Sequence, residues 1–293
     1  MPHMTPWGEI PDDAVVQLGA HTYAYYGPRS VFSNSAFVVG ETATLVFDAN
    51  DVWCGRHLRA ALDKYAAGRP LRFLVLSHTH SDHAHGAHFF APPARVLARE
   101  WARQRLVYWS ERDLQPFIDE TPQYAEEYRN MRIVVPDESL EEVRRLDLGG
   151  VHVRLEPVPM AHTPGDLLAV VEEDGAALCG DLLFNRYAAY IGSGSLAGSL
   201  DALEHLRSLQ VSIYLPGHGP ACGPQAIDEM GAFLVDMREA VRAGRAQGLS
   251  DEALVADVCQ RMARWQQLPF FNESWMMPDN IPVVVRELEA VAT

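Results

Sequence analysis

An apolar run, Leu71-Arg72-Phe73-Leu74-Val75-Leu76-Ser77, opens directly into His78-Thr79-His80-Ser81-Asp82-His83. The run reads as a buried strand, so three imidazoles and one carboxylate fall where a strand gives way to a loop. Side chains two apart on extended backbone point the same way, which lets His78 and His80 reach one cation together. Asp82 and His83 lie on the turn that follows, placed to reach a second. Neutral imidazole and carboxylate are the ligands of zinc and related divalent ions. An affinity tag would sit at a terminus and would lack the intervening Thr, Ser and Asp. The hexapeptide therefore marks a metal site. His85 and His88 extend the run and read as the start of the next helix.

Around this junction the chain alternates strands and helices. Thr22–Tyr26, Ala36–Val39 and Thr44–Phe47 read as strands, the last two joined by a hairpin turn at Gly40-Glu41, and the last ending at Asp48. A helix is expected over 52–66, stopped by Gly68-Arg69-Pro70. Strand, helix, strand in that order implies a crossover and a sheet covered by helices, an α/β chain. Residues 99–139 are rich in charge and aromatics (Trp101, Tyr108, Trp109, Phe117, Tyr124, Tyr128) and read as a helical insert, a lid or pocket wall. Strands return at Val151–Pro157, Leu167–Glu172 and Ala176–Cys179. A helix over 199–208 leads to a strand at Ser212–Leu215. Beyond Pro224 the chain reads as helices over 225–247, 250–266 and 281–291. The expected division is a catalytic unit over 1–223 and a helical C-terminal region over 224–293 packed on it.

Bulk properties exclude several classes. A formal charge of −15 argues against a nucleic-acid partner, because phosphate backbones need clustered Lys and Arg. No stretch has the roughly 20 apolar residues of a membrane span. The first thirteen residues have no basic-then-apolar leader pattern, so a cytoplasmic location is expected. Cys54, Cys179, Cys222 and Cys259 form no CxxC pair and suggest no disulfide framework.

Three later positions supply further ligands at strand-to-loop junctions: His162 in Met160-Ala161-His162-Thr163-Pro164-Gly165-Asp166, Asp181 in Cys179-Gly180-Asp181, and His218 in Pro216-Gly217-His218-Gly219. Each alone has a structural explanation. Together with HxHxDH and the upstream Asp48, they make the chain resemble the metallo-β-lactamase-fold hydrolases from about Val15 to Pro220. The resemblance implies a four-layer αβ/βα sandwich with metals at one edge, between two sheets. It implies one zinc on His78, His80 and His162, a second on Asp82, His83 and His218, and Asp181 bridging both. Asp48 would support the ligand loop from behind. The implied cofactors are two Zn2+, with Fe or Mn also compatible with these donors. A bridging hydroxide would then attack a carbonyl or phosphoryl bond, oriented by Asp82 and Asp181.

Departures from named branches narrow the substrate. True β-lactamases of this fold carry Cys or Ser where this chain has Asp181. Cys179, two residues earlier, would share its direction on a straight strand. Quorum-signal lactonases carry Tyr three residues after the bridging Asp, where this chain has Phe184. Glyoxalase II enzymes use basic residues in the C-terminal region; here Arg238, Arg242, Arg245, Arg261 and Arg264 have the spacing of a solvated helix face. The reading is a dinuclear-zinc hydrolase of a carboxylic ester, thioester or lactone of a small, hydrophobic substrate. The alternatives are a persulfide-dioxygenase-like enzyme with one iron, another oxygen-using member of the fold, or a β-lactamase-like amide hydrolase. Candidate pocket residues are Tyr25, Tyr26, Trp109, Tyr128, Phe184 and Asn185. The apolar segment 269–278 would cover the site or form a contact in a homodimer.

Overall fold

The computed structural model describes residues 14–27 and 33–291. Among the described residues, one sheet has seven strands in the order β1 to β7: Ala14–Gln17, Thr22–Tyr26, Asn34–Val39, Thr44–Phe47, Leu71–Val75, Arg95–Ala98 and Glu138–Ser139. Pairing is antiparallel through β4 and parallel from β4 to β7. The second sheet runs β12-β11-β10-β9-β8, from β8 (Arg144–Asp147), β9 (His152–Pro157), β10 (Leu167–Val171), β11 (Ala176–Phe184) and β12 (Ile213–His218).

Residue alternation along the strands sets the layers. Ala36, Val38, Leu45, Phe47, Phe73 and Val75 face inward, where they meet Val153, Leu155, Leu167, Ala169, Val171 and Leu178 of the second sheet. Their neighbours Phe37, Val46 and Leu74 face outward and are buried by α1 (Gly55–Ala66) and α3 (Glu100–Ser110) through Leu58, Leu62, Ala102 and Leu106. On the far side Leu168, Val170, Ala177 and Cys179 pack under α6 (Leu196–Ser208), α7 (Gln225–Ala246), α8 (Asp251–Arg261) and α9 (Met276–Val291). Each Val, Leu or Phe side chain so buried contributes about 1.5–3 kcal/mol. A one-residue slip of any central strand would exchange its two apolar faces, so the register is strongly specified. The result is the expected four-layer sandwich, with a helical C-terminal region on one outer face.

Element ends depart from the sequence reading for identifiable reasons. The β3–β4 connection takes four residues, because Glu41, Thr42 and Ala43 donate their amides to the carbonyls of Gly149 and Leu148. Helix α1 starts at Gly55, after a turn in which the Asp51 carbonyl accepts from Cys54 and Gly55. Ser195 and Ser250 cap α6 and α8 through their hydroxyls, and α8 ends at Arg261, short of 266. Helix α9 begins five residues before the expected 281. His85 and His88 lie in a 3-10 turn, His85–Phe89. The insert holds α3, α4 (Gln115–Glu120) and α5 (Ala125–Asn130), gathered on Val52 by Ile118, Tyr128 and Met131. All four cysteines are free thiols. No helix among the described residues is long and apolar enough to cross a membrane.

Candidate metal centre

The hexapeptide begins where β5 leaves the sheet. The Ser77 amide donates to Asp48 Oδ1 at 2.7 Å, and its hydroxyl donates to Asp48 Oδ2 at 2.7 Å. Because that hydroxyl is already donating, its oxygen accepts from His78 Nδ1–H at 2.9 Å, which leaves His78 Nε2 as a lone pair facing inward. His80 is still extended, and a single helical turn, α2 (Ser81–Ala84), starts after it and carries Asp82 and His83.

Three imidazole nitrogens converge here. His80 Nδ1 lies 3.1 Å from His78 Nε2 and 2.9 Å from His162 Nε2. His162 Nδ1–H donates to the Tyr190 carbonyl at 2.9 Å, so its Nε2 also carries an inward lone pair. Asp181 Oδ2 is 3.2 Å from His162 Nε2 and 3.9 Å from His78 Nε2. The four donor atoms lie within 4.8 Å of one another. A second set, Asp82, His83 and His218, meets the same limit. His83 Nδ1–H donates to Asp48 Oδ2 at 2.9 Å, turning Nε2 inward to within 3.1 Å of Asp181 Oδ1. Asp82 Oδ2 is 3.5 Å from both His83 Nε2 and His218 Nε2, and His218 Nε2 is 3.4 Å from Asp181 Oδ2. The Asp181 carboxylate thus faces both sets.

The donors suit a cation. His83 Nε2 and Asp181 Oδ1 are buried and, though close, are not aligned to hydrogen bond with each other or with any other described group. Buried polar atoms left this way are costly unless an ion completes them. Burial lowers the pKa of His78 and His80 below the ordinary imidazole value and that of His162 to about 3, keeping all three neutral, as metal ligation requires. Burial works the same way on His83 and His218, but the Asp181 and Asp82 carboxylates outweigh it and raise both. Burial opposes ionisation of Asp181, yet His218, His83 and His162 hold its pKa well below the usual carboxylate range. The carboxylates demand positive charge here, which a cation would supply.

The later ligands arrive from distant elements. Asp181 is not at a strand end: β11 continues to Phe184, because Gly180 takes φ +51° and shifts the pairing with β12 without ending it. The same kink breaks the alternation that would align Cys179 with Asp181; Cys179 turns into the core beneath the C-terminal helices. Gly217 has no tolerance for a side chain, since a Cβ would stand 1.9 Å from Asp181 Oδ1. His162 is aimed by Asp166, whose carboxylate accepts from the His162 amide and from the Thr163 amide and hydroxyl. Burial pushes the Asp166 pKa up to about 7. Ser33 Oγ donates to the Asp82 carbonyl, and across the sheets Asn34 donates to the carbonyls of Pro216 and Gly219.

The expected pocket residues divide. Tyr25 and Tyr26 are not pocket walls: they alternate into the cores on the two faces of the first sheet, and the Tyr26 hydroxyl accepts from the Ala221 amide. Phe184 stacks on His218 at 5.1 Å, and Asn185 is buried, donating to the Pro220 carbonyl. Tyr128 donates to Asp51 at 3.1 Å and stacks on Phe117, which sits edge-on to His85. Trp109 lies one layer farther out, against Phe117. The five C-terminal arginines all pair with carboxylates on the helix surfaces, the solvated-face arrangement their spacing suggests. Ser193, whose hydroxyl is 3.1 Å from His80 Nε2, and Tyr190, whose ring lies 5.9 Å from both His80 and His162, reach the centre without having been singled out in the sequence. Asn280, which clamps the Ala189–Ile191 loop, was not singled out either. Only the cluster Tyr187, Tyr190 and Ser193 just after the Asp181 strand hinted at these.

Comparison with known proteins agrees with this geometry. No curated protein sequence matches the chain. A solved structure, the metallo-beta-lactamase from Pontibacter korlensis, is similar in fold, with a TM-score of 0.58 and 16% identity over 75% of this chain and 98% of that one. The family model of the metallo-beta-lactamase superfamily matches residues 29–218, a span holding Asp48 and all seven donor residues. This chain belongs to the metallo-beta-lactamase superfamily.

Proposed function

We propose that the chain is a dinuclear-metal hydrolase, loaded with zinc, that cleaves an ester, thioester or lactone of a small apolar substrate. The observation that carries this reading is the Asp181 carboxylate, with one oxygen turned to His83 and the other to His162 and His218. A carboxylate so placed suits two cations sharing one ligand. Five imidazoles and two carboxylates match zinc, and also iron or manganese. Cations bound there would supply a Lewis acid for a substrate carbonyl and a water acidified toward neutrality.

The protein's own residues do the remaining work. Asp82 is the more exposed of the two inward carboxylates, its side chain 23% accessible against 4% for Asp181. Its Oδ2 is therefore the atom placed to orient an incoming water and accept its proton. The Asp181 oxygens, enclosed by His78, His83, His162 and His218, fix the two ligand sets relative to each other. Phe184, Tyr187 and Phe270 surround His218 and keep bulk water from that side.

The test is metal content by mass spectrometry, paired with turnover of a panel of thioesters, lactones, β-lactams and phosphodiesters. About two zinc ions per chain and turnover of thioesters or lactones are expected. One iron per chain, or turnover of phosphodiesters alone, would overturn the reading.

A further inference from the structure

One peptide unit joins the C-terminal helix to the metal centre. The Tyr190 carbonyl accepts from His162 Nδ1–H at 2.9 Å, and the amide of the same unit, Ile191 N–H, donates to Asn280 Oδ1 at 2.8 Å. Because a peptide unit is planar, fixing its N–H fixes the direction of its carbonyl. Asn280 Nδ2 donates in turn to the Ala189 carbonyl at 3.0 Å, so this side chain grips the backbone on both sides of Tyr190. Asn280 is fully buried near the start of α9, where packing sets its own position.

The gripped loop reaches a second ligand. Ser193 Oγ lies 3.1 Å from His80 Nε2. His80 turns Nδ1 toward His78 and His162, so its Nε2 carries the hydrogen and donates to Ser193. Beyond Ser193 the loop is pressed onto the His162 segment. The Ser195 amide donates to the Ala161 carbonyl at 2.8 Å, and a Cβ on Gly194 would stand 1.9 Å from that oxygen. Glu287, two turns along α9, accepts from the Leu196 and Ala197 amides at 2.8 and 3.0 Å and holds the far end of the loop.

We propose that α9 is a working part of the metal centre: through Asn280 it positions the 189–197 loop, and through that loop it aims His162 and His80. Asn280 is thus a positioning residue for the His78–His80–His162 set, a role that rests on the metal-centre reading above. The seven donors fall inside the span 29–218 that matches the superfamily, whereas α9, at Met276–Val291, lies outside it. The other set is held from elsewhere: His83 by Asp48, the Asp82 carbonyl by Ser33, and the Pro216 and Gly219 carbonyls beside His218 by Asn34. Control from α9 is therefore one-sided. It also runs both ways, because hydrogen bonds through one peptide unit polarise each other.

The experiment uses the full chain, with zinc titrated against a competing chelator in the wild type and Asn280→Ala. Long-range 1H–15N correlation of the histidine rings reads tautomer and ligation residue by residue. Asn280→Ala should bind zinc about tenfold more weakly at the His78–His80–His162 set, with the His83 and His218 signals titrating as in the wild type. Without metal, His162 should lose its single Nδ1–H tautomer in Asn280→Ala, while the His83 ring signals stay as in the wild type. An unchanged His162 tautomer, or equal loss of affinity at both sets, would overturn the proposal. Ser193 is exposed, so Ser193→Ala removes no packing. It should disturb the His80 ring signals and leave those of His162 alone, and Ser193→Thr should restore them; an undisturbed His80 ring would overturn the loop's hold on that ligand. One measurement depends on no variant: in the wild type, zinc should shift the Ile191 amide and the Asn280 side-chain amide, and unmoved signals there would sink the coupling to α9. If the wild type takes up no zinc, the metal-centre reading fails, and the metal-free His162 signals still decide the positioning role.

Discussion

Asp48 and His83 meet through a 2.9 Å hydrogen bond in which both side chains are wholly shielded from water. The same carboxylate accepts the amide and hydroxyl of Ser77, and that hydroxyl in turn receives the Nδ1–H of His78. One acid therefore sets the tautomer and aim of a histidine in each ligand set, directly for His83 and through Ser77 for His78.

Asp48→Asn should bind metal about 10–100-fold more weakly at the Asp82–His83–His218 set, with a smaller loss at the other set. Asp48→Ala should in addition lose about 3–5 kcal/mol of stability, because it leaves buried donors without their acceptor. Metal titration and urea unfolding measure the two effects. Full affinity at both sets in Asp48→Asn would contradict the orienting role.

Gly217→Ala tests how closely β11 and β12 approach at the centre. The new methyl would stand 1.9 Å from Asp181 Oδ1 and must displace that carboxylate. The variant should fold with a loss of about 1–3 kcal/mol yet bind less than two metals per chain. Wild-type stoichiometry by mass spectrometry would show that Asp181 does not serve both sets.

Metal binding should depend on pH unequally at the two sets. Burial keeps His78, His80 and His162 neutral, so a cation displaces no protons from them near neutrality. His83 and His218 have pKa values raised above the ordinary imidazole value because the surrounding carboxylates outweigh burial, so protons compete with a cation for both. Affinity at their set should rise with pH, with proton release visible by calorimetry in buffers of different ionisation enthalpy. Equal proton release at both sets would refute this difference.

Asp51 and Tyr128 tie the insert to the sheet, and the tie has its own pH signature. Burial pushes the Asp51 pKa up to about 8, while an unfolded Asp titrates near about 4. Between those values the native state holds a proton that the unfolded chain has released. This group's contribution to stability therefore declines as pH rises from about 4 to about 8. Asp51→Asn should flatten that slope in unfolding experiments. Tyr128→Phe should cost about 1 kcal/mol and speed amide exchange over residues 115–130. An unaltered slope in Asp51→Asn would assign the pH response elsewhere.

Much of the sandwich was legible because its strands are short, apolar and bounded by turns. Leu71–Val75 and Leu167–Val171 read as strands from local pattern alone. The donors were legible too, since His and Asp have few reasons to crowd at strand ends. Tyr25 and Tyr26 misled because aromatic residues on a strand serve cores and pockets equally, and only sheet pairing shows which face is covered. Asp181 was expected at a strand end, since nothing in its immediate neighbours reveals that Gly180 would kink β11 without ending it.

The sequence by itself marked which side chains could hold a metal, because ligand chemistry resides in residue type and HxHxDH places four donors within six residues. Tertiary structure decided how they group. His162 is 82 residues from His80 and meets it at 2.9 Å, while Asp181 faces both sets only because β11 and β12 pair beside the end of β5. The ring contacts of Tyr187 with Phe270 and of Tyr190 with Trp275 are likewise a tertiary product: the two tyrosines come from one loop, their partners from another about eighty residues on, and Asn280 holds the tyrosine loop. Local periodicity reports which face of an element is apolar. It carries no record of which distant segment will cover that face.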